Sequence, residues 1–73
     1  MSNKFKEGDE VKMNDEVTND QNSNSDYLKT QKLKVVRYPN QKEQPEIVEC
    51  WADGTSQGLY QVTETQIHKI KSE

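Results

Sequence analysis

Seventy-three residues supply one domain at most, and folding a chain this short buries only about 60% of the surface exposed in the unfolded state. Leu, Ile, Val and Phe account for just 13 residues, yet 10 basic side chains nearly balance 13 acidic ones, so the charge repulsion that keeps poorly apolar chains unfolded is missing. A pI near 5.1 lacks the footprint of a strong polyanion binder, no run approaches the ~20 apolar residues of a membrane span, and one cysteine rules out an intrachain disulfide.

The first legible element follows Phe5. Gly8-Asp9 is a turn dipeptide, after which Val11 and Met13 alternate with Glu10, Lys12 and Asn14 in the period of a half-buried strand. Residues 14–26 then contain one apolar side chain, Val17, among Asn, Asp and Ser. Such side chains bond their own backbone in competition with helix and ladder, so the segment reads as a long, flexible or partner-binding loop that adds nothing to the core.

The second strand lies within Tyr27–Tyr38. Leu33 and Val35 share one face, Lys32, Lys34 and Val36 the other, and Pro39-Asn40 ends it. A third strand spans Glu46–Ala52, closed by the turn signal Asp53-Gly54, and residues 53–57 form a hairpin loop to a fourth strand, Gly58–Thr63. Glu64-Thr65-Gln66 has room for one 3₁₀ turn before a short last strand, Ile67–Ile70. Five short strands without a covering layer suit a small sheet bent until it closes on itself, a single domain over 1–73. Its expected core is Phe5, Val11, Met13, Leu33, Val35, Val48, Cys50, Leu59, Val62, Ile67 and Ile70.

The opening Phe5-x-x-Gly8-Asp9-x-Val11-x-Met13 resembles the first strand of SH3-like barrels related to KOW and Tudor domains. Together with Val48-Glu49-Cys50-Trp51-Ala52-Asp53-Gly54 and Tyr60, it is similar to very small, uncharacterised bacterial and phage SH3-like proteins. Two differences stand out: Trp51 directly follows Cys50 instead of lying two residues on, and the long polar loop replaces a short Gly-containing connection. The resemblance implies an all-β fold, a five-stranded SH3-like barrel, and no activity in particular; the long polar loop after strand 1 is this sequence's own addition to that expectation.

Enzymatic constellations are missing from the sequence: there is no Gly-rich phosphate loop, no Cys-x-x-Cys and only one histidine, His68, which reads as a rim residue. We therefore expect a binding or adaptor module without cofactor or metal. If Cys50 faces the core, Trp51 faces out with Ile47 and Glu49, and Trp51, Ile47, Tyr60 and Tyr38 become the expected protein-binding residues. A bulge would instead turn Trp51 into the core. An aromatic cage for methylated lysine would need Tyr27, Tyr38, Trp51 and Tyr60 to converge.

The alternative partner is nucleic acid or a ribonucleoprotein, met by Lys29, Lys32, Lys34 and Arg37. It draws on a charge division: residues 1–26 hold 3 basic and 7 acidic side chains, residues 27–73 hold 7 and 6. A phage-type inhibitor whose acidic loop mimics nucleic acid, and a homodimer joined through an edge strand, fit the same composition. A single cysteine and a polar N-terminus without a leader-like apolar run point to the cytoplasm.

Overall fold

A computed structural model describes residues 4–52 and 58–70. Five strands form, β1 (Glu10–Met13), β2 (Leu33–Arg37), β3 (Ile47–Ala52), β4 (Leu59–Thr63) and β5 (Ile67–Lys69), with a short helix α1 (Ser25–Leu28) and a 3₁₀ turn at Glu64–Gln66. The expected hairpin loop at 53–57 lies outside the described residues. Among the described residues, no helix is long and apolar enough to cross a membrane.

The strands make one antiparallel sheet in the order β4-β3-β2-β1-β5. Consecutive strands thus pair as neighbours, and β5 returns to the far side of β1. The sheet is not closed into the expected barrel: β4 and β5 end the order, with no ladder joining them among the described residues. β5 has only three residues, and its ladder is with β1.

The polar loop packs beneath the sheet, on its inner face. Val17 and Leu28 are buried in the same cluster as Val11, Met13, Leu33, Val35, Val48, Cys50, Val62 and Ile67. Tyr27 packs its ring against Tyr60 of β4, centroids 6.2 Å apart. At the other end Gln66, just before β5, accepts hydrogen bonds from Asn22 Nδ2 and Thr63 N–H on Oε1, and from Asn14 N–H on its carbonyl. Asn14 and Asn22 thus tie the loop to the turn before β5, while Tyr27, just after the loop, touches the inner side of β4 through Tyr60.

Its Asn and Ser side chains do what their chemistry favours, but to one another. Asn19 Oδ1 accepts from Ser25 Oγ at 2.8 Å and from the Asp26 N–H at 3.2 Å, while Asn19 Nδ2 donates to Asp26 Oδ2. Those bonds satisfy the Asp26 N–H in the first turn of α1 and let Ser25 be fully buried without an orphaned polar atom. The expectation that 14–26 adds nothing to the core is thus corrected: the segment supplies Val17 and the frame that drives Leu28 inward.

Two further expected core positions are corrected. Leu59 is 43% exposed, because Tyr60 and Val62 sit opposite Cys50 and Val48 on the inner face, and strand alternation sends Leu59 outward. Ile70, past the end of β5, is half-buried. Ala52, paired with Leu33, occupies the core in their place.

Candidate functional site

The inner face of the sheet is filled, so the outer face is what the molecule offers. Cross-strand register lays it out in rows. Glu10 of β1 stands opposite Lys34 of β2, Lys34 opposite Trp51 of β3, and Trp51 opposite Leu59 of β4. With Cys50 fully buried beneath, Trp51 points outward and is 44% exposed. Trp51 and Leu59 are the two large apolar side chains that this face leaves open, and they are nearest neighbours across the ladder.

Trp51 is held, not dangling. Its benzo ring lies over Gly58, which has a φ of +83°; a Cβ at residue 58 would fall 2.3 Å from Cζ3 and 2.5 Å from Cη2 of the ring. Glycine is needed twice here, for the left-handed backbone and for the space under the indole. Gly58→Ala should therefore cost about 1–2 kcal/mol from the backbone alone. It should also lift the ring, shifting the only tryptophan emission to the red and raising acrylamide quenching; an unchanged spectrum would mean the ring does not rest there.

Cations frame the apolar pair. A shallow depression beside Trp51 is lined by Glu10, Lys32, Leu33 and Lys34. Glu10 carries Lys32 at 4.0 Å, an exposed pair worth little, whereas Lys34 and Lys12 have no ion pair among the described residues. Lys12 faces His68 across the β1–β5 ladder, and the His68 ring hydrogen-bonds Asn14 Oδ1. The loop from 14 to 26, by contrast, carries Asp15, Glu16, Asp20 and Asp26, all exposed, and no cation. Charge is thus divided by side, basic on the outer sheet face and acidic on the loop beneath it.

Further along the strands the outer face is closed by an ion pair. Register slips between Val35 and Arg37, a bulge that turns Arg37 outward, where strict alternation after Val35 would point it to the core. Arg37 Nε then donates to Glu49 Oε1 at 2.7 Å, and Glu49 is left only 9% exposed. This places Glu49 and Arg37 between Trp51 and the half-buried Ile47, so Ile47 shares the strand face but not the patch.

The remaining expected site residues lie elsewhere. Tyr60 is on the opposite face of β4 from Leu59, packed against the core and Tyr27. Tyr38 is half-buried, its hydroxyl donating to Glu64 Oε2 and accepting from the Phe5 N–H at 3.1 Å. Burial, then the Glu64 acceptor, push its pKa up from 10.0 to about 12. The four aromatic rings do not converge on one cage. Of the basic set, Lys32 and Lys34 meet Trp51, Lys29 caps α1, and Arg37 is committed to Glu49. Leu59, Gly58 and Lys12 were missed from the sequence; alternation around Lys12 was the available signal.

Neither a protein-family model, nor a curated protein, nor a solved structure matches the chain.

Proposed function

We propose that this is a non-enzymatic binding module on an SH3-like sheet, which engages an acidic segment of a protein partner through Trp51, Leu59 and Lys34. Support for the SH3-like reading comes from the strand order β4-β3-β2-β1-β5 and the 3₁₀ turn between β4 and β5. The observation that carries the functional reading is Trp51 itself, exposed yet packed over Gly58 beside the exposed Leu59. An aromatic ring fixed before binding loses little entropy on contact, which is why tryptophan is over-represented among interface hot spots. Lys34 alongside, without an ion pair among the described residues, favours carboxylates in the partner. The free, buried thiol of Cys50 suits a reducing compartment.

A single-stranded nucleic acid is the second reading, favoured by Lys12, Lys32 and Lys34 sharing a face with the ring. Glu10 stands among those lysines and opposes a phosphate chain.

The test is capture with immobilised wild-type and Trp51→Ala chains, before and after nuclease. A protein retained by the wild type, resistant to nuclease and reduced at least tenfold by Trp51→Ala supports the lead reading, since losing an aromatic anchor costs about 2 kcal/mol or more. Trp51→Ala should melt within a few degrees of the wild type. Identical retention by both chains sinks this reading. Titration with oligothymidylate in low salt, read by Trp51 emission, separates the second: saturable quenching that weakens steeply with salt would favour nucleic acid.

A further inference from the structure

Edge strands are normally defended by charge, proline or a bulge, because their free backbone groups template other strands. Roughly a third of this chain is charged, yet the window Gly58-Leu59-Tyr60-Gln61-Val62-Thr63 contains no charged residue and no proline. Its last five residues are β4, an outer edge of the sheet. The opposite edge, β5, carries His68 and Lys69 over three residues.

Register shows which backbone groups β4 leaves open. The Ala52 N–H donates to the Gly58 carbonyl at 2.6 Å, and the Glu64 N–H to the Glu46 carbonyl at 2.8 Å. Those bonds set the phase of the ladder, so Tyr60 and Val62 bond to β3 while Leu59 and Gln61 aim N–H and C=O at the open side. Thr63 directs its N–H to Gln66 Oε1 and drops out.

We infer that β4 pairs antiparallel with β4 of a second copy, about a twofold axis through Tyr60, joining two sheets into one. In that register Leu59 exchanges both backbone hydrogen bonds with Gln61 of the second copy, and the reverse, which uses the groups the edge leaves open. Neutral meets neutral, so self-pairing carries no like-charge penalty. On the outer face each Leu59 becomes the diagonal neighbour of its counterpart, within reach at about 7–8 Å. The exposed Trp51–Leu59 pair of one copy then continues into that of the other, and the two binding faces lie on one side of a common sheet. Strand pairing alone buries less than a standard interface, so the dimer belongs to the weak class and forms at high micromolar concentration.

Sedimentation velocity from about 10 µM to 1 mM tests this with three chains, the wild type, Leu59→Lys with Gln61→Lys, and Leu59→Glu with Gln61→Glu. Both positions are exposed, and circular dichroism checks each fold. A concentration-dependent wild-type dimer is expected, weakened at least about tenfold in either charged chain and restored when the two are mixed in equal amounts, because lysine then faces glutamate. Independently of any variant, the Leu59 and Gln61 amides should exchange more slowly as wild-type concentration rises. A wild type that stays monomeric to 1 mM, as it would if this edge served a foreign strand instead, overturns the inference. So does a dimer indifferent to both charged chains, or one whose Leu59 and Gln61 exchange does not change.

Discussion

Leu28→Ala is expected to remove about 2–5 kcal/mol of stability, the range for emptying a fully buried leucine site. A domain of this size is held together by roughly 4–11 kcal/mol in total, so one truncation takes about a fifth of it at the least and most of it at the upper end. Leu28 has no exposed surface although it stands directly after the Asn, Asp and Ser run, ahead of β2, and outside the core expected from the sequence. It is pressed between β1 and the neighbouring core side chains by a four-residue helix, whose own hydrogen bonds are too few to hold it without that contact. The comparison is Ser23→Ala in the same segment, exposed and expected to change stability by less than about 0.5 kcal/mol. Urea unfolding followed by tryptophan emission and by circular dichroism separates them. Equal midpoints for the two variants would show that 14–28 is an appendage and not part of the core.

Raising the pH should destabilise the fold well before its lysines account for the loss. Burial, and then the neighbouring Glu49 charge, push the Cys50 thiol up from 9.0 to about 12. Burial and Glu64 do the same for Tyr38, from 10.0 to about 12. In both cases the folded state holds its proton where the unfolded chain has released it. The resulting stability is complete below pH 9, and for Cys50 it falls by about 1.4 kcal/mol per pH unit as the pH climbs from 9 towards 12. Tyr38, nearer to solvent, adds a smaller share from pH 10 upward. Urea midpoints at pH 7.5, 9, 10 and 11 should fall along this course in the wild type and flatten between 9 and 10 in Cys50→Ala. Tyr38→Phe should flatten only the upper part. Parallel curves for all three chains would mean that neither group is held neutral by the fold.

The five strands could be read from the chain because each combines alternation with a stop: Gly8-Asp9 before β1, Pro39-Asn40 after β2, Asp53-Gly54 after β3. What stayed hidden is of another kind. Val17 and Leu28 are isolated apolar residues with neither a period of two nor of 3.6, so nothing local reports that they are buried; tertiary packing decides it. In β4 the adjacent pair Leu59-Tyr60 allows either residue to be the inner one, and only pairing with Val48 and Cys50 fixes the choice. Alternation offered Trp51 outward with Cys50 inward, or a bulge turning Trp51 into the core; the regular pairing of Cys50 with Tyr60 and Trp51 with Leu59 decides for the first. Arg37 did not, because the bulge that brings it to Glu49 is a property of two strands together. The expected contact set broke apart for the same reason: Tyr60 and Tyr38 are half-apolar side chains that the core recruits, while Leu59, counted as core, is the one left beside Trp51.

The separation of the acidic loop from the lysine-bearing sheet face makes the molecule an electric dipole despite its modest net charge. Its positive pole coincides with the side from which Trp51 projects. If the partner is acidic, as proposed, one drifting within about a Debye length, ~8 Å at physiological ionic strength, would be turned to face the indole before any contact is made. A molecule that carries its overall charge with the wrong sign for such a partner can still be found by it quickly, provided it is met from the right direction.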